Sequence, residues 1–296
     1  MGIEFENQKQ EASQFVNQKV IDKAYEKALK VLSQPIDPED FKDIYRDVEK
    51  DIAFVERMER KFAEEAAGGS LEKQNRMKIA KIFEAIIFQH AEQSNWFGDT
   101  ATTIEASRFD DIVNKVDTIV EFGESESRAT HLALAMDVTT ASRFSEKFEH
   151  IKKSIERGEL TKVKYFISEI LDIRGEKSNI PHVVIGVDRK TTFDVIEAWN
   201  RGDNKKLANH PVQIKILAEI QIQLKAFKQY AEKLGKDDVV RVYEKTLRII
   251  ESIMSVKEID EKDLAEAEKD EYFSAIKQNA EDIAMGITPS GMTAID

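Results

Sequence analysis

No cysteine occurs anywhere in the 296 residues. That excludes a disulfide framework, thiolate metal ligands and a thiol nucleophile. No apolar run approaches the roughly 18 residues of a membrane span. The opening stretch, MGIEFENQKQEASQF, has no basic n-region and no apolar core of a signal peptide. Glu6 stands where a myristoylation signal needs Ser or Thr. These absences predict a soluble, cytoplasmic protein without a membrane partner.

Other signatures are missing too. The five histidines share no metal-ligand spacing, which argues against a zinc site. FDDIVNKVD has acids at suggestive intervals but lacks the glycine and closing glutamate of an EF-hand. GVDRKTT at 186–192 lacks the spacing of a phosphate-binding loop, and no nucleophile elbow is present. There is no internal repeat and no low-complexity tract.

What is present is charge. The net value of −12 speaks against bulk nucleic-acid binding, but the distribution is uneven. Residues 1–142 carry a net −10 and residues 256–296 a net −7, whereas residues 143–228 carry +5. The basic excess offers either a solvated helix face or a surface that tracks phosphates.

Hydrophobic periodicity divides the chain into a helical region at 1–70, an α/β core at 71–190, a helical region at 191–285 and a loose tail at 286–296. In the helix expected from Leu71, Glu84 falls against the apolar stripe of Ala80, Ile87 and Phe88. TTIEASRFDDIVNKVDTIVEF and HLALAMDVTT read as two or three antiparallel strands. Phe144, Phe148, Ile151 and Ile155 mark a helix. KVKYFIS and HVVIGVD read as further strands. Helices follow from Thr191 onward. The expected class is α+β, a small mixed sheet flanked by helices with helical extensions at both ends.

Two of the strands carry an aspartate inside an apolar run, Asp117 and Asp137. Strand alternation puts Asp117 with Ile119 and Glu121, and Asp137 with Ala133, Ala135 and Thr139. If those rows meet, Asp117 and Asp137 converge and Glu84 packs over them. Crowded carboxylates need a cation or a proton. An all-oxygen set suits Mg²⁺ or Mn²⁺.

This order, a helix with an internal Glu, a strand opening with Asp, a strand with Asp-x-polar, a helix and a further strand, resembles the PD-(D/E)XK nuclease superfamily over residues 71–190. The resemblance implies an αβββαβ restriction-endonuclease-like core and Mg²⁺-dependent hydrolysis of DNA or RNA. It assigns the metal to Asp117 and Asp137 with help from Glu84. Val116 replaces the motif proline and Thr139 the motif lysine. Threonine supplies no positive charge, so a lysine from a neighbouring element is needed. Lys147, Lys152, Lys162 and Lys164 are candidates, with Lys152 and Lys164 favoured. Two non-enzymatic alternatives stand beside this reading. One is an inactive nuclease-fold scaffold whose terminal helices bind protein partners. The other is a purely helical interaction protein.

Overall fold

From residue 18 to the end of the N-terminal third the chain is mainly helical for reasons visible residue by residue. A computed structural model describes residues 18–125, 128–137, 144–168 and 170–289, with Ser125 and 133–137 given by backbone alone. Helix α1 occupies 18–31 and buries Ala24 and Ala28. A 3-10 turn at Pro38–Phe41 follows, capped by Asp37, which accepts from the Glu39 amide at 2.9 Å. Helix α2 (Val48–Ala67) ends at Gly68. Helix α3 (Leu71–Gln93) begins at Ser70, whose hydroxyl accepts from the Lys73 amide at 3.3 Å, satisfying one free donor of the first turn. Ile79, Ile82, Phe83, Ile86 and Ile87 of α3 are all buried. Each side chain of that size contributes roughly 1.5–3 kcal/mol on leaving water.

The middle of the chain holds β1 (Ala101–Glu105), α4 (Arg108–Asn114), β2 (Thr118–Ser125), β3 (Arg128–Asp137), α5 (Phe144–Arg157), β4 (Thr161–Ser168), β5 (Ile173–Ile180) and β6 (His182–Gly186). Four strands form one sheet in the order β1-β2-β3-β6. The first three are antiparallel, and β6 returns parallel to β3. β4 and β5 make a separate antiparallel hairpin. Alternation splits β2 between two cores: Ile119 packs with Val163, Phe166 and Ile180 of the hairpin region, while Val120 and Phe122 join the main core with α3.

Two elements differ from the sequence expectation. RFDDIVN is the helix α4, not strand. Ser107 caps it, accepting from the Asp110 amide at 3.1 Å, and Lys115 ends it in the left-handed region at φ 59°. IRGEKSNI is strand β5, which presents little buried surface and so has no apolar alternation to betray it.

The C-terminal helices are α6 (Arg189–Arg201), α7 (Asn204–Ala208), α8 (Val212–Lys233), α9 (Asp237–Val256), α10 (Glu261–Ala267) and α11 (Glu271–Met285). The main apolar cluster runs from Ile21 through the sheet to Ala284, so both terminal helical regions share one core with the strands. Of the expected tail, residues 290–296 lie outside the described residues. Helix α8 also satisfies the outer edge of β6. Gln223 accepts from the Val184 amide and donates to its carbonyl, both at 2.8 Å, and Glu219 accepts from the Gly186 amide at 3.1 Å. On the other outer edge, Glu92 of α3 accepts from the Thr103 amide at 2.7 Å. Among the described residues no helix is long and apolar enough to cross a membrane.

Candidate active site at one end of the sheet

Strand register gathers acids at a single end of the sheet. Glu105 closes β1 opposite Thr118, and Asp117 immediately precedes β2. Thr118 pairs with Leu134, and β3 runs on past that pair to Asp137, which lies beside Gly186 of β6. Asp188 then follows β6 and caps α6. All four strands therefore bring an acidic position to one edge, where the connections diverge, a usual place for sites in such sheets. Ile119 lies opposite Ala133 and Glu121 opposite His131. The backbone rows that contain Asp117 and Asp137 are thus in register. The side chain of Asp137, and Thr139 altogether, lie outside the described residues.

Helix α4 adds a carboxylate that sequence reading passed over. Its Asp110 turns towards the hairpin, accepting from the amides of Lys164 at 2.8 Å and Tyr165 at 3.1 Å. Those bonds pin α4 to β4. The next residue, about 100° further round the helix, is Asp111, which shares a side-chain hydrogen bond with Asp117. Arg108 pairs with Asp111 and, at 3.0 Å, with Glu59 of α2. From the other side comes Glu84, 8 % exposed, with Lys81 Nζ 2.9 Å from its Oε1.

The electrostatics follow from this crowding. Burial, then the charge of Asp117, raises the Glu84 carboxyl to about 8. The same two causes raise Asp111 to about 6. Lys81 opposes both shifts, and Arg108 that of Asp111, without cancelling them. Burial also raises Glu105, despite nearby Lys81 and Arg108.

Two cavities meet at Arg108 and Asp111. The larger, about 700 Å³, reaches Glu84, Lys81 and Glu105. The smaller, about 300 Å³, holds Asp117, Lys115 and Lys147. Lys147 of α5 is thus the candidate lysine that shares a cavity with Asp117. The two favoured lysines are not brought to the carboxylates. Lys164 points to α2, where Asp47 and Asp51 hold it at 2.8 and 2.6 Å. Lys152 pairs with Glu156 at 2.9 Å and lies over the Tyr230 ring. Lys162 faces Glu176 at 3.7 Å. The physical reason is direction: Lys164 shares a strand face turned to the aromatic cluster of Tyr45 and Phe109, and Lys152 faces α8.

Among the described residues no group of three or more acids or histidines is placed to hold a metal ion. The donor chemistry nevertheless suits a hard cation: three carboxyls from α3, α4 and the start of β2, two of them holding their protons unusually tightly, beside the backbone position of a fourth. Asp111, Arg108, Lys81 and Glu105 were not singled out from sequence. The available signal was Ser107 with Asp110 three residues on, a helix-start pattern that would have turned FDDIVN from strand to helix and presented Asp111. No protein-family model matches the chain, and no curated protein or solved structure matches it.

Proposed function

We propose that this sheet end is the active site of a Mg²⁺- or Mn²⁺-dependent phosphodiester hydrolase acting on nucleic acid. The observation that carries the reading is the crowding of Glu84, Asp111 and Asp117 from three different elements, at a cost to the apo fold. The chain order α3-β1-β2-β3-α5-β6, with α4 and the β4–β5 hairpin inserted, supports a restriction-endonuclease-like core.

In this reading Asp117, Asp111 and Asp137 would supply oxygen donors to the cation, and Glu84 would join them on losing its proton. A divalent cation, when bound, lowers the pKa of water and neutralises charge on a phosphoryl oxygen. Lys147 orients the attacking water from the smaller cavity, the task the motif lysine has in the resembling superfamily. Arg108 and Lys81 face the developing negative charge, where preorganised cations lower the barrier most.

The test is cleavage of plasmid and of single-stranded oligonucleotide in Mg²⁺, in Mn²⁺ and in EDTA, by wild type and Asp117→Ala. Cleavage that needs the metal and falls at least a hundredfold in the variant is the expected result. Cleavage indifferent to Asp117 would falsify the assignment. One observation favours a second reading: Lys81 and Arg108 already pair with Glu84 and Asp111. That pairing suits an inactive scaffold, and a wild type that neither binds Mn²⁺ nor cleaves would select it.

A further inference from the structure

The larger cavity has a divided lining. Its charged lining is Lys78, Lys81, Arg108, Glu84, Glu105 and Asp111. The rest of the lining is largely apolar, with Leu29, Pro35 and Met77 beside Tyr25. Leu29 is 47 % and Met77 49 % exposed, both large apolar side chains left open to this space. Lys78 Nζ lies 5.7 Å from the Tyr25 ring centroid, and it pairs with Asp22 at 2.6 Å. Leaving such side chains in water forgoes their burial, so the wall gains by taking an apolar face.

A nucleotide has the same division, a flat apolar base joined to an anionic phosphate. The cavity's volume of about 700 Å³ is that of a small-molecule site. A duplex would need a much broader contact surface. A stacked pair also hides the base faces that such a wall would cover, whereas an unpaired base exposes them. We infer that the cavity takes one unpaired nucleotide, its base against the Leu29–Met77 wall and its phosphate towards Arg108 and Lys81, so that the substrate is single-stranded. This inference rests on the phosphodiester-hydrolysis reading and names its substrate class.

The experiment is a fluorescence-anisotropy titration in Ca²⁺ with three labelled probes: a mixed-sequence single strand, a hairpin duplex of the same sequence, and a single strand abasic throughout. Wild type should bind the single strand at least tenfold tighter than either other probe. The double substitution Leu29→Ala/Met77→Ala should bring single-strand affinity down to the abasic level, with circular dichroism reporting that the fold is kept. Equal affinity for the natural and abasic strands, tighter binding of the duplex, or no binding of any strand overturns the inference. Mn²⁺ binding to wild type and Asp117→Ala, measured separately, keeps the two ideas apart. Metal binding at Asp117 without base discrimination sinks the substrate assignment alone. Base discrimination without metal binding sinks the hydrolase reading.

Discussion

Asp117 is the residue whose charge the rest of the site must accommodate. Because Glu84 is raised to about 8, the folded chain holds a proton between about pH 4.5 and 8 that the unfolded chain has released. Stability from this group is full at low pH and falls as pH rises through 8. Asp111, raised to about 6, acts in the same direction over a lower window. Without metal the midpoint of urea unfolding should therefore drop between pH 5 and pH 8. Asp117→Asn removes the charge that disturbs both neighbours. It should stabilise the metal-free protein at pH 8 by roughly 1–2 kcal/mol. Mg²⁺ should stabilise wild type, more so at pH 8 than at pH 5, and leave the variant unchanged. A variant less stable than wild type at pH 8 would mean that Asp117 serves the fold.

At the scale of elements, the interplay of α8 and β6 makes the sharpest prediction. Gln223 is fully buried and bonds both backbone groups of Val184. Gln223→Leu leaves a buried N–H and C=O without partners, at roughly 2–4 kcal/mol. Faster hydrogen exchange at the Val184 amide should accompany the lower urea midpoint. Unchanged protection would show that another group takes over. The same elements show what a sequence reveals. The helix α8, the helix α5 ending at Gly158 and the strand β6 were legible because their apolar residues recur at the helical or strand period or form one buried run. Strand β5 was not, since it is held by pairing to β4 and covers little core. Helix α4 was obscured by Ile112 and Val113, β-branched residues whose preference yields to the Ser107 cap and the Asp110 anchor. So the sequence drew attention to Glu84, Asp117 and Asp137 through the apolar runs around them. Asp111 was missed with the helix that carries it. The direction of a lysine is set by tertiary packing, so the sequence held no ground for choosing among Lys147, Lys152, Lys162 and Lys164.

The whole molecule behaves as one packed unit in its main core. Trp96 donates from its indole to the Leu207 carbonyl at 3.0 Å, and Trp199 to Gln89 at 2.7 Å, tying α3 and the segment after it to the helices beyond the sheet. Ala28 of α1 is fully buried in the same cluster. Tryptophan fluorescence and far-ultraviolet circular dichroism should then report one coincident urea transition. Ala28→Lys, which buries a charge in that cluster, should shift both together by about 3 kcal/mol or more. Separate transitions would divide the chain into independently folding parts. The carboxamide of Gln223 at one sheet edge and the carboxylate of Glu92 at the other have a consequence for how copies of the chain meet. An open strand edge is a template on which a second polypeptide can grow by backbone pairing. Here side chains of α8 and α3 occupy that template at Val184 and Thr103, so a second copy of the chain approaching either edge of the four-stranded sheet meets backbone groups that are already satisfied there.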